Sequence, residues 1–373
     1  MIAHVIRRLY VHNFRCLENF ELPIAGLPSA LLIGKNGSGK TTVAMALEVL
    51  QKIARGKNRV SELVSPKDFA RGRSEVPMRF EISVDLEHKV YEYSVAFDFP
   101  AGFKELRVFD EKFAVDGKHV YQRELAQVRL ARVEQDGEST FRIDRHLVAL
   151  PLIQEQSESD PLFIFKQWLA RMIILRPVPG LILGESAEET LQPNTQATNL
   201  GAWFAGLLAH APSAYSKIDD YLKQVMPDLK DIKNPLVGKD SRSLDVRFSN
   251  GNGTVTLPFE DLSDGEKCFI ICATVLAAND AYGPLLCFWD EPDNYLDISE
   301  VGHFVVALRK AFQSGGQFIA TSHNPEAIRR FSDENTLVLS RKNHMEPTTV
   351  RRLDQSNVNG DLVSALIRGD VGE

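Results

Sequence analysis

The sequence predicts an α/β fold, with a mixed sheet around a glycine-rich loop, an antiparallel β lobe and an inserted helical lobe. Three observations predict it. A short apolar run at 30–33 leads through glycines into a helical pattern at 41–54, where Val43, Leu47, Leu50 and Ile53 share one face. Stretches 78–86, 90–99 and 126–133 alternate apolar and polar residues, with Asp116-Gly117 and Asp136-Gly137 as turn dipeptides, which reads as an antiparallel meander. From 254 onward strands and helices alternate again.

The later elements follow in order. A helix is expected within 262–280, a buried strand at 285–289, a helix at 299–314 closed by Gly315 and Gly316, a strand at 317–321, a helix at 325–331 and a strand at 336–340. Between the two halves, 160–172, 199–209 and 213–225 read as helices, and Ser213 stands where the last would be N-capped. The expected organisation is one head over 1–373. Its core comes from 1–60 and 255–373, with an antiparallel β region at 75–150 and a helical lobe at 157–250.

Composition narrows the class. Hydrophobic residues at 44% and charged residues at 25% describe an ordinary globular chain, and no apolar run reaches the roughly 18–20 residues that span a bilayer. Arg7 and Arg8 lie near the start without an apolar core behind them, so no signal peptide is expected. Cys16, Cys268, Cys272 and Cys287 have neither metal-ligand nor disulfide-framework spacing, and Cys268 and Cys272, four apart in an expected helix, read as buried thiols of a reducing cytoplasm. A net charge of −7 does not by itself point to nucleic acid. Lys57, Arg59, Lys67, Arg71 and Arg73 nevertheless cluster, either as a solvated surface or as a local DNA-binding face.

The glycine loop carries the first chemistry. Gly34-Lys35-Asn36-Gly37-Ser38-Gly39-Lys40-Thr41 satisfies G-x-x-x-x-G-K-[ST] at every defined position. Glycines let backbone N–H groups turn toward phosphate oxygens, and the helix that follows offers its positive end to the same anion. Lys40 would bring a fixed charge to the β- and γ-phosphates of ATP. Thr41 would supply a hydroxyl to Mg²⁺, and Thr42 lies in the same first turn. The second chemistry sits at Leu285-Leu286-Cys287-Phe288-Trp289-Asp290-Glu291, an apolar strand ending in two carboxylates. Ligands of open α/β sheets gather at such carboxyl ends. There Asp290 would hold Mg²⁺ through its water shell and Glu291 would act as general base.

Leu262-Ser263-Asp264-Gly265-Glu266-Lys267 ends about 24 residues before Glu291 and resembles the signature of ABC ATPases in its L-S-x-G-E/Q form. In that class the segment binds the γ-phosphate of ATP held by another subunit, which assigns Ser263 and Gly265 to the nucleotide. The resemblance continues in Tyr295-Leu296-Asp297, at the place of the segment that follows the acidic pair, and gives Asp297 a nucleotide role. It continues in Thr321-Ser322-His323-Asn324-Pro325, where His323 matches the switch histidine. Ile6 to Leu17, with its Asn13-Phe14-Arg15 element, resembles the opening strand of the RecF, SMC and OLD group, and implies that Arg15 approaches the phosphates. The alternative for Arg15 is a surface arginine on an edge strand. The class also has a loop glutamine, for which Gln154, Gln156 and Gln167 stand as alternatives.

The middle of the chain, around 168–179, 199–208 and 213–229, resembles stand-alone OLD-related AAA-family ATPases. About 220 residues without heptads separate loop and signature, so the long coiled coil of SMC proteins is not expected. About 50 residues follow His323, and no TOPRIM nuclease is expected in this sequence. The resemblance implies an ATPase that uses ATP and Mg²⁺, forms an ATP-dependent homodimer or higher homo-oligomer, and works with a separate effector, a nuclease or toxin. DNA is an implied partner and a membrane is not. A RecF-like repair factor and, from another class, a transporter ATPase subunit are the alternatives. The RecF-type start and Asp264 within the signature argue against the transporter.

Overall fold

Strand Met78–Leu86 alternates buried and half-buried residues along its whole length, as a strand must when one face covers a core. It belongs to an antiparallel sheet of eight strands in the order Phe20–Leu22, Val5–His12, Met78–Leu86, Lys89–Asp98, Arg107–Val115, Lys118–Glu124, Gln127–Ala131, Glu138–Arg142. From Met78 onward each strand pairs with the next in sequence, so this part is the expected meander. The computed structural model describes residues 5–131, 138–331 and 333–355. The turn expected at Asp136-Gly137, and the end of the 126–133 strand, lie outside them. Asp116 and Gly117 form the expected hairpin turn, both with positive φ, 50° and 74°. Glu87 and His88 adopt the same left-handed pair between the first two meander strands, without turn-type residues to announce it.

The chain divides into two compact units, Met1–Met172 with Asp333–Glu373, and Ile173–Ser332. In the first, helix Pro161–Ala170 presses Phe165 against the sheet, with ring centroids 5.0 Å from Phe113 and 5.8 Å from Tyr93. Burying such a ring contributes about 1.5–3 kcal/mol. Below it, the wholly buried Glu111 accepts hydrogen bonds from the Tyr93 and Tyr121 hydroxyls and from the N–H groups of Ala149 and Leu150. The same unit contains the loop strand Ser29–Ile33, buried at every residue. It runs parallel to Thr336–Ser340, which pairs antiparallel with Thr349–Arg352, a mixed sheet. Helix Lys40–Ala54 follows the glycine loop. Its far end is anchored by the Gln51 amide, which donates to the Met172 carbonyl, and by Arg55 Nε, 2.9 Å from the Ala170 carbonyl.

In the second unit, strands Ile173–Leu175, Leu286–Asp290 and Gln317–Thr321 run parallel and are buried throughout. Helices Asp264–Tyr282 and Ile298–Gln313 match the expected alternation. The strand Ile173–Leu175 was not foreseen, because Ile-Ile-Leu after a helix continues its apolar run without a change of period. Helices Leu200–His210 and Ala214–Val225 stand where the sequence places them. Ser213 occupies the N-cap position but makes no side-chain cap. The helical lobe expected to reach 250 is instead β-structured from Leu229 onward. Leu229–Lys233, Asp245–Ser249 and Thr254–Pro258 form an antiparallel sheet, with a small hairpin at Leu236–Val237 and Ser241–Arg242. All four cysteines are buried and free, and burial pushes the Cys268 thiol up to about 12. Among the described residues no helix is long and apolar enough to cross a membrane.

Candidate nucleotide site

The glycine loop sits between a buried strand and a helix, as its motif requires. Gly39 takes the N-cap of helix Lys40–Ala54 with φ 103°, a conformation that L side chains rarely adopt. A Cβ there would lie 2.7 Å from Thr348 Oγ1 and 3.0 Å from Cys16 Sγ. A Cβ on Gly34 would lie 2.2 Å from the Leu339 carbonyl oxygen, a backbone atom that cannot swing aside. The loop is thus packed from below by three segments. Thr348 Oγ1 donates to the Ser38 carbonyl at 2.9 Å, and Cys16 Sγ lies 3.5 Å from Thr42 Oγ1. The Lys40 ammonium folds over the loop and donates to the Gly34 carbonyl at 2.8 Å. Ser38 Oγ is buried without a hydrogen-bond partner, a donor whose desolvation is uncompensated. Lys35, Asn36 and Gly37 are exposed at the tip. A buried hydroxyl in want of an acceptor, beside a lysine, is the donor set a phosphate group fits.

Arg15 is not on an edge strand. It lies in a turn with φ 54°, its N–H donates to the Asp68 carbonyl at 2.6 Å, and its guanidinium stands 2.9 Å from Asp68 Oδ1. Together with Lys67, Phe69 and Arg71 it lines an open pocket of about 500 Å³. Its neighbour Cys16 packs against the glycine loop at Gly39 and Thr42. The basic cluster is largely neutralised. Lys57 pairs with Glu62, Arg59 with Glu105, and Arg71 and Arg73 both with Glu18. Of the three glutamines, Gln167 lies within helix Pro161–Ala170, while Gln154 and Gln156 are exposed in the preceding loop.

At the acidic strand end the positions are set by side chains. Asp290 is 5% exposed and its Oδ1 accepts from Thr321 Oγ1 at 2.6 Å. The same hydroxyl accepts from the Glu291 N–H at 2.9 Å, so one threonine ties both acidic residues to the neighbouring strand. Glu291 has φ 52°, a left-handed state that costs of order 1–3 kcal/mol for a residue with a Cβ and is found where function requires it. Its Oε2 accepts from Asn294 Nδ2 at 2.6 Å, and its Oε1 lies 3.5 Å from His323 Nε2. Both carboxylate oxygens therefore face polar groups, and the carboxyl remains partly open to water. Thr321 entered the sequence reading only as the first residue of the segment around His323, with no role of its own, and Asn294 was not singled out. A threonine closing an apolar strand 30 residues downstream carries no local signal.

The signature segment forms the start of helix Asp264–Tyr282. Ser263 is its N-cap and makes a reciprocal capping box with Glu266: Ser263 Oγ accepts from the Glu266 N–H, and Glu266 Oε2 accepts from the Ser263 N–H at 2.8 Å. Ser263 itself is exposed. The Asp264 and Glu266 carboxylates share this first turn, so an incoming anion meets a helix end already partly answered. A Cβ on Gly265 would sit 3.1 Å from the Tyr295 carbonyl, which explains the glycine by packing against the 293–297 segment. Asp297 is exposed and caps helix Ile298–Gln313. It accepts from Ser299 N–H and Oγ, and these bonds hold its carboxyl below the usual range.

A phosphate-cradling loop, two carboxylates at a strand end and a capped signature helix within one α/β chain describe an ATPase head. The RecF/RecN/SMC N-terminal domain family matches residues 5–346. The chain belongs to that family. As a RecF/RecN/SMC-family chain it shares the fold of solved SMC heads. An SMC head bound to the C-winged helix domain of ScpA matches with TM-score 0.55 and 14% identity, over 94% of this chain and 99% of that one. An SMC head with extended coiled coil bound to the C-terminal domain of ScpA, derived from Pyrococcus furiosus, matches with TM-score 0.53 and 14% identity over 98% and 99%. The SMC head domain from Thermotoga maritima gives 0.50 and 12% over 93% and 98%. An OLD nuclease of Thermus scotoductus is 44% identical over 46 residues, a match spanning 12% of this chain and 8% of that nuclease. Together these place the chain among ABC-class ATPases of the RecF, SMC and OLD group.

The donors also fit a magnesium nucleotide. Thr41 in the first unit and Asp290 in the second each offer hard oxygen atoms, taken one unit at a time. Among the described residues no cluster of three or more His, Cys, Asp or Glu is placed to hold a metal by itself. Mg²⁺ characteristically takes only one or two protein oxygens and completes its shell with phosphate and water.

Proposed function

We propose that this chain binds and hydrolyses ATP, and that ATP drives it into a homodimer or higher homo-oligomer. The observation that carries the reading is Glu291. It is strained, hydrogen-bonded at one carboxylate oxygen, faced by His323 at the other, and adjacent to a buried Asp290. Lys40, with Gly34, Lys35, Asn36, Gly37, Ser38, Gly39, Thr41 and Thr42 around it, binds the phosphates. Thr41 and Asp290 would hold Mg²⁺, which would supply neutralising charge to the β- and γ-phosphates. Glu291 takes the proton of the attacking water as its oxygen bonds to the γ-phosphorus, and ADP leaves. His323 orients Glu291 and the γ-phosphate. Ser263 and Gly265 serve the nucleotide of a second copy, with Asp297 beside them, and Arg15 completes the phosphate surroundings.

For the biological output we infer a cytoplasmic role in genome maintenance or in defence against phage, with a separately encoded effector such as a nuclease or toxin. The short match to an OLD nuclease supports this, as does membership of a family named for RecF, RecN and SMC. DNA is the expected partner of the assembly. The paired state of the basic cluster favours contact through the assembled protein rather than through residues 57–73 alone.

Mixing tests the assembly. Ser263→Arg chains and Lys40→Ala chains should each be inactive alone. Combined, they should recover at most one working site per dimer, because each lends its intact half. Phosphate release and light scattering with and without ATP read the result. Normal hydrolysis by Ser263→Arg protein as a monomer would overturn the two-copy mechanism.

A further inference from the structure

We propose that Asp293 and Ser322 form a positioning pair that sets His323 against Glu291. Asp293 lies two residues beyond Glu291 and is 5% exposed, and Ser322, the residue before His323, is 1% exposed. Ser322 Oγ donates to Asp293 Oδ2 at 2.8 Å and accepts from the Asn324 N–H at 2.9 Å. One hydroxyl therefore joins the turn after the acidic strand to both sides of the switch histidine. Asn324 continues the restraint as N-cap of helix Pro325–Arg329, accepting from the Glu326 N–H at 2.9 Å. The His323 imidazole is 44% exposed, and its Nε2 lies 3.5 Å from Glu291 Oε1, so the backbone on either side of the residue bears on where the ring meets that carboxylate.

The choice of residue points the same way. Asp293 Oδ1 is buried with no hydrogen-bond partner, so the carboxyl bears a desolvation cost that one serine does not offset. That burial, and then the charge of Glu291, push its pKa above the ordinary range, while the Ser322 bond pulls it down. A buried acceptor beside Glu291 and His323 marks a position held for more than the packing of a surface turn. Thr321 fixes where Asp290 and the Glu291 backbone lie. The Asp293–Ser322 pair fixes where His323 lies relative to them.

The inference rests on the ATPase reading for its consequence, and the test separates the two. Full-length protein carrying ¹⁵N-labelled histidine is studied without nucleotide, with the His323 resonance identified by its loss in His323→Ala. That resonance should shift in Ser322→Ala and in Asp293→Ala, and no further in the double variant. Asp293→Asn keeps an acceptor for Ser322 and guards against a misfolded Asp293→Ala. It should leave the resonance near its wild-type position. In turnover assays Ser322→Ala should lower kcat about tenfold with KM for ATP unchanged, since a misplacement of order 1 Å costs up to about 10²-fold. It should cost nothing more in a His323→Ala background. An unmoved His323 resonance in both alanine variants overturns the proposal. So does an equal kcat loss with and without His323, which marks a merely structural bond. Should wild-type protein not hydrolyse ATP, the ATPase reading fails, and the resonance arm still decides the pair.

Discussion

At the glycine loop, the structure depends on what is missing: side chains at Gly34 and Gly39 would enter the Leu339 carbonyl and Thr348. At the acidic strand end, it depends on what is present: the hydroxyls of Thr321 and Ser322 and the amide of Asn294 hold Asp290, Asp293 and Glu291. The first is a backbone cradle, set by close packing against distant main chain. The second is a side-chain scaffold, set by short polar contacts between adjacent parallel strands. The difference assigns them different failures. A cradle has no conservative substitute and loses binding when it loses shape. A scaffold degrades stepwise, and its losses appear in turnover before they appear in affinity.

The largest effect should come from filling the cradle. Gly34→Ala places a Cβ against a backbone oxygen, so it should destabilise the protein by about 1–3 kcal/mol, as overpacking does, and abolish measurable ATP binding. Thermal unfolding and calorimetric titration read the two effects, and unchanged ATP affinity would break the comparison. Thr321→Val keeps the shape of a wholly buried side chain but removes the hydroxyl shared by Asp290 and Glu291. It should cost about 1–3 kcal/mol for the groups left unpaired and lower kcat at least tenfold, while ATP affinity changes little. A fall confined to affinity would place Thr321 with the cradle instead. The smallest effect is expected at Asp297→Ala. Loss of that N-cap should cost about 1 kcal/mol of stability, and any larger loss of ATP-driven association would separate a nucleotide role from capping.

The parts of this architecture that could be read in advance are those whose signal is local. Residues 34–41 announce a strand–loop–helix because glycine, lysine and threonine stand in fixed register with an apolar run before them. Residues 285–291 announce a strand end because two carboxylates close five consecutive apolar residues. The capping box at Ser263 and Glu266 was likewise within reach of a four-residue window. What escaped depends on distance along the chain. Cys16, Leu339 and Thr348 meet the loop from positions up to 310 residues away, and their residue types say nothing of it. The strands between Leu229 and Pro258 were hidden for another reason. Those of the sheet are five residues each, and although Asp245–Ser249 and Thr254–Pro258 alternate polar and apolar residues around the Asn-Gly run at 250–253, each alternation is too short to stand out beside the helical pattern before it. The basic cluster misled in the opposite sense. Its charges are adjacent in sequence, but the acids that neutralise Arg59, Arg71 and Arg73 come from Glu105 and Glu18, far along the chain.

The division between cradle and scaffold is tested most directly by measuring ATP binding and phosphate release side by side in Glu291→Gln protein. The amide cannot take a proton from water, while Gly34, Ser38 and Lys40 are untouched. The account predicts ATP affinity within a few-fold of wild type and turnover reduced by roughly 10²–10⁴-fold, the range for loss of a general base. Turnover at the wild-type rate would contradict it, and so would an equal collapse of binding and hydrolysis.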